Sequence, residues 1–121
     1  MAHKILVVDD EPSIRDVLGD FFNRGGFGVA TAATIAEGRQ LARATAFDLI
    51  LLDVGLANEN GLDLLAILKK EQPQAHVLIL TGRGFDGDLM SDALKLGANG
   101  FLAKGLPMEE LLAAVNRALA E

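Results

Sequence analysis

"KILVVDDEPSIRDVL" (residues 4–18) contains the change of period that decides how this chain folds. Ile5 to Val8 are consecutive apolar residues, a run too short for a helix and suited to a strand buried on both faces. Asp9, Asp10 and Glu11 end the run, and Pro12 then suits the first turn of a helix, where its missing N–H costs nothing. Beyond it Ile14, Val17, Leu18, Phe21 and Phe22 recur at helical spacing as one apolar stripe. A buried strand running straight into an amphipathic helix is a βα unit. The three carboxylates at its mouth repel one another, so a compensating cation is expected elsewhere in the sequence.

The same change of period repeats along the chain. Gly25 and Gly26 stop the first helix, and "FGVATA" (27–32) reads as a weaker strand. "TIAE" (34–37) has the Thr-x-x-Glu form of a capping box opening a second helix. "FDLILLD" (47–53) is the clearest buried strand and again ends in aspartate. A helix over 60–70, a strand "HVLILTG" (76–82), a helix over 86–97 closed by Gly97, and a short strand "GFLAK" (100–104) follow. The last helix, 107–120, starts at Pro107 and carries Met108, Leu111, Leu112, Val115 and Leu119 as its stripe. Five βα units in register predict an α/β fold, a parallel sheet covered by helices on both faces, in one domain over 1–121.

Composition narrows the function classes. The 121 residues are 50% hydrophobic with a net charge of −6, which favours a globular domain and opposes direct nucleic-acid or anionic-membrane binding. No cysteine is present, so disulfides and thiolate metal sites drop out, and a reducing, cytoplasmic setting fits. No apolar run approaches the length of a membrane span.

In open parallel sheets, ligands bind at the carboxyl ends of the strands. There the first strand delivers Asp9 and Asp10, the third Asp53, the fourth Thr81 and the fifth Lys104. Asp-rich helix openings are often merely solvated, and Thr81 or Lys104 alone would be ordinary. Together they form a constellation in which one lysine and one divalent cation neutralise three aspartates. A hard, oxygen-loving ion such as Mg²⁺ fits those carboxylates. A carboxylate can attack phosphorus, and phosphoryl transfer needs positioning plus cations near the equatorial oxygens. These are the parts of a phosphate-accepting aspartate site.

The pieces "ILVVDDEP", "DLILLDV" followed by Gly61, "LILTG" and "GANGFLAKG", in this order and spacing, resemble the receiver domain of bacterial two-component response regulators over the whole chain. The resemblance implies a doubly wound, flavodoxin-like (βα)5 sandwich with strand order 2-1-3-4-5. It implies Asp53 as phosphoacceptor, Asp10 as direct Mg²⁺ ligand with Asp9 close by, and the Gly55 carbonyl completing the metal shell. Thr81 and Lys104 would contact the phosphoryl group, and Phe101 would swing inward as Thr81 moves, redrawing the face of the fourth helix, fifth strand and fifth helix. Partners would be a histidine kinase or phosphotransfer protein, with Ile14 as a contact, and an output protein or effector domain. The domain would catalyse its own phosphorylation and slow dephosphorylation, not a reaction of an outside substrate. Both a single-domain receiver and an N-terminal domain of a longer protein fit the chain, and the oligomeric state stays open between monomer and weak dimer.

Departures from the family pattern support an alternative, a pseudo-receiver acting as a phosphorylation-independent binding module. Gly105 stands where a cis-proline usually follows the lysine, and a cis bond before a non-proline costs roughly 2.5–4 kcal/mol. A trans Lys104–Gly105 bond is therefore expected, with a looser loop and a less firmly held lysine. Ala57 replaces a common proline, "GRGFDG" (82–87) suggests a mobile loop, and Gly55 and Arg83 fill positions that tune phosphoryl loss in the family. Asn99 and Gly100 replace an acidic pair, which puts in doubt a dimer mode that uses salt bridges there. A flavin-binding protein of this fold is disfavoured, because "DDEPS" would repel a phosphate without a metal.

Overall fold

The structure, a computed structural model, describes residues 3–55, 60–82 and 87–120. The elements alternate strictly: β1 (Lys4–Val8), α1 (Pro12–Arg24), β2 (Gly28–Ala32), α2 (Ile35–Ala44), β3 (Leu49–Asp53), α3 (Gly61–Glu71), β4 (His76–Thr81), α4 (Gly87–Lys95), β5 (Gly100–Ala103) and α5 (Met108–Ala120). All pairings are parallel, in the order β2-β1-β3-β4-β5. The expected fold and strand order both hold. The expectations about Ala57 and Arg83, and most of the loop over 82–87, lie outside the described residues.

Strand alternation divides the interior into two cores. Ile5, Val7, Leu49, Leu51, Leu78 and Leu80 face α1 and α5, where they meet Leu18, Phe22, Leu111 and Val115. Leu6, Val8, Ile50, Leu52, Val77 and Ile79 face the other side and meet Leu64, Leu65 and Leu68 of α3 and Ala93 of α4. The central strands read as unbroken apolar runs because neither face is left to water. Val17 departs from the expected stripe: it is 51% exposed. It lies about 140° around α1 from fully buried Phe22, at the edge of the apolar face.

The helix ends follow local chemistry. Thr34 caps α2 by accepting the Glu37 N–H at 3.1 Å, while the Glu37 carboxylate accepts the Ala33 N–H at 3.1 Å, one residue earlier than in a strict capping box. Gly26 (φ 92°) and Gly97 (φ 104°) end α1 and α4 in the left-handed region. In both turns the next residue reaches back with its N–H, Phe27 to Phe22 O and Ala98 to Ala93 O, each at 3.0 Å.

Candidate functional site

The sheet order reverses direction between β1 and β3, so the crevice of a doubly wound fold opens at their carboxyl ends. Asp9 follows β1 with no solvent exposure, and Asp53 is the last residue of β3 at 3%. Thr81, the last residue of β4, is also buried, and Lys104 comes directly after β5. The Lys104 N–H donates to the Thr81 carbonyl at 3.0 Å, which ties those two strand ends together.

Lys104 supplies the cation that the acidic opening of the chain requires. Its Nζ lies 2.8 Å from Asp53 Oδ2, 3.0 Å from Asp9 Oδ2 and 3.0 Å from Glu11 Oε1. Burial alone would lower the lysine pKa; its close contacts with the carboxylates of Asp53, Asp9 and Glu11 outweigh it and hold the pKa above its usual value. The Asp9 carboxyl is raised, foremost by burial and further by the charge of Asp53, against the Glu11 N–H and Lys104, which pull it down. The Lys104–Gly105 bond is trans, as expected. Three carboxylates lie within 3.0 Å of the Lys104 ammonium with Gly105 following it.

The remaining carboxylate oxygens are held by the backbone. Asp9 Oδ1 accepts the Glu11 N–H at 2.9 Å, and Asp53 Oδ1 accepts the Gly55 N–H at 2.8 Å. Arg15 Nη1 donates to the Asp9 carbonyl at 2.8 Å and braces the turn into α1. Asp9 Oδ2 is buried and lacks an aligned hydrogen-bond donor, since Lys104 approaches it off the bonding direction. Ligand oxygens of Asp9, Asp10 and Asp53 all lie within 4.8 Å of one another. Clustered hard carboxylate oxygens, one of them without an aligned donor, suit a divalent cation.

Phe101 is partly buried against the core on the α3 side. It pairs in register with Ile79, two positions before Thr81, so Phe101 and Thr81 project from the same face of neighbouring strands. Ile14 lines a small cleft between α1 and α5 together with Val17, Met108 and Lys104.

Two residues at this end of the sheet escaped the sequence reading. Glu11 belongs to the acidic run, but nothing local shows that it reaches a lysine 93 positions away. Gly61 matched a motif without a reason. A Cβ there would sit 2.6 Å from Val54 Cα and 2.8 Å from the Asp53 carbonyl oxygen, so only hydrogen lets α3 start against the turn that follows Asp53.

The family model for the response regulator receiver domain matches residues 5–116. The chain is 34% identical over 119 residues to the TorCAD operon transcriptional regulatory protein TorR of Escherichia coli, covering 98% of this chain and 51% of that protein. It thus spans about half the length of that relative. A CheY-like response regulator receiver domain protein from Methanospirillum hungatei superposes with a TM-score of 0.94 at 28% identity, covering 99% of this chain and 95% of the other. A response regulator from Burkholderia pseudomallei, solved with a phosphorylated aspartic acid, a calcium ion and citrate, superposes with a TM-score of 0.89 at 35% identity, covering 98% and 69% of the two chains.

Proposed function

The chain belongs to the response regulator receiver domain family, and from that premise we propose that Asp53 is its phosphoacceptor. The observation that carries this reading is the Asp53 carboxylate itself. It is buried at a strand end, 2.8 Å from a lysine ammonium and within metal-sharing distance of two further aspartates. The phosphorylated aspartate of the Burkholderia relative supports the same chemistry.

In the forward step a carboxylate oxygen of Asp53 attacks the phosphorus of a phosphoimidazole carried by a histidine kinase or phosphotransfer protein. The O–P bond forms as the P–N bond breaks. The electron pair returns to the imidazole nitrogen, which takes up a proton, and Asp53 becomes an acyl phosphate. Mg²⁺, held by Asp9, Asp10, Asp53 and the Gly55 carbonyl, would supply positive charge beside the transferring oxygens. Lys104 donates to one phosphoryl oxygen and the Thr81 hydroxyl to another. Drawing Thr81 toward the phosphoryl group frees space on the face it shares with Phe101, and the ring's inward movement reshapes the surface of α4, β5 and α5 for an output protein or effector domain. The cleft at Ile14, beside Lys104, is the surface offered to the kinase. Asp53 is the only group chemically changed, and water later hydrolyses the acyl phosphate; no outside substrate is turned over.

Intact mass after incubation with acetyl phosphate and Mg²⁺ tests this reading. One added phosphoryl group, lost in Asp53→Asn and in EDTA, is expected. An unmodified mass in the unaltered chain would leave the fold serving as a binding module. Lys104 engaged with Asp53 speaks against that module, since the trans bond before Gly105 has not displaced the lysine.

A further inference from the structure

Glu11 Oε1 lies 3.0 Å from Lys104 Nζ, and the phosphoryl-transfer chemistry above makes no use of it. A lysine ammonium has three N–H donors, and here three carboxylates surround it, from the end of β1, the start of α1 and the end of β3. Glu11 and Asp53 accept aligned hydrogen bonds from it, and Asp9 crowds its third side at 3.0 Å, so a phosphoryl oxygen drawn to Lys104 competes with acceptors already there.

The three acceptors are not equally able to leave. The side chains of Asp9 and Asp53 are 0% and 4% exposed, and each has its other oxygen pinned by a backbone N–H. Glu11 is 55% exposed, so water can replace the lysine around its carboxylate. It also occupies the N-cap of α1 yet makes no side-chain cap hydrogen bond. The free N–H groups of the first turn also attract negative charge at that position. Glu11 turns to the lysine.

We propose that Glu11 is a positioning residue that holds Lys104 in the unphosphorylated state and is exchanged for a phosphoryl oxygen when Asp53 is modified. The inference rests on Asp53 as phosphoacceptor. Glu11 thereby opposes the phosphorylated state by competing for its lysine, and weakening the Glu11 contact favours phosphoryl binding.

The test is the affinity of the Mg²⁺-loaded chain for beryllofluoride, a phosphoryl analogue, read by ¹⁹F NMR in the unaltered chain, Glu11→Gln and Glu11→Asp, with thermal melts confirming that each is folded. Glu11→Gln removes the charge, and the affinity is expected to tighten about threefold to fivefold, the range of a half-exposed ion pair. Glu11→Asp keeps the charge on a side chain one methylene shorter, which cannot span the same distance, and it should tighten binding similarly. If Glu11→Gln binds no more tightly than the unaltered chain, the exchange is refuted. If Glu11→Asp matches the unaltered chain while Glu11→Gln tightens, the effect is through-space charge and the contact has no role. Beryllofluoride binding absent from the unaltered chain would overturn the reading of Asp53 and this inference together.

Discussion

Asp9 bears the cost of the site most directly. Its carboxylate is fully buried, and burial, followed by the neighbouring charge of Asp53, raises its pKa. A group whose folded pKa is raised favours the fold below its unfolded pKa and opposes it once the pH has risen through the folded value. At neutral pH, Asp9→Asn should therefore stabilise the metal-free chain by about 1 kcal/mol, because Lys104 keeps Asp53 and Glu11 as partners and no buried charge is left alone. Urea unfolding at neutral and acid pH checks this, and the gain should shrink as the pH falls. The same variant should bind Mg²⁺ more weakly, since it removes one carboxylate charge from the acidic cluster. Within the unaltered chain, protons should compete with Mg²⁺ from a higher pH than an ordinary aspartate would allow. Calorimetric titration should then show metal affinity falling as the pH is lowered.

At the level of elements, two joints decide how the loops meet. Gly61 lets α3 begin against the backbone of the β3–α3 turn. Gly61→Ala must push that turn aside, which should cost about 1–3 kcal/mol and, because the turn carries Asp53 and Gly55, weaken Mg²⁺ binding as well. Loss of stability with unchanged metal affinity would show that the turn relaxes without disturbing the site. The second joint is Asn99. Its Oδ1 accepts the Val77 N–H at 2.8 Å and is 3.3 Å from Lys69 Nζ, while its own N–H donates to the Val77 carbonyl at 2.8 Å. Asn99 thus takes up a strand-edge role at the start of β4, a use unrelated to the salt bridges whose absence its position suggested. Asn99→Ala would strand the N–H of fully buried Val77, at a cost of about 1–3 kcal/mol that should lower the urea midpoint with an unchanged slope.

For the molecule as a whole, the sheet is a partition between two cores that share no side chains. Ile5→Val on the α1–α5 face and Ile79→Val on the opposite face should each cost about 0.5–1.5 kcal/mol. The double variant should equal their sum within about 0.5 kcal/mol, measured by urea unfolding. Marked non-additivity would mean that strain crosses the sheet. Asp53 ends a strand that contributes to both cores, whereas Thr81 and Phe101 lie on one face. Among the described residues no helix is long and apolar enough to cross a membrane.

Most of the fold was legible because its signals are local. The runs ending at Val8 and Asp53, the proline opening α1 and the glycines closing α1 and α4 each act within a few residues, and their alternation leaves little choice but a parallel sheet. The strand-end rule then brings Asp9, Asp10, Asp53, Thr81 and Lys104 to one edge without any knowledge of distance. Val17 was misjudged because helical spacing marks a stripe but not its edge, which the neighbouring helix decides. Only the tertiary structure could decide which carboxylates divide the Lys104 ammonium among themselves, why Gly61 must be glycine, and that Asn99 pairs with β4. An ammonium's partners are set where loops from distant parts of the chain converge, and a steric contact of 2.6 Å exists only once the chain has closed on itself. Periodicity belongs to the chain, whereas the exchange of partners around Lys104 belongs to the packed molecule.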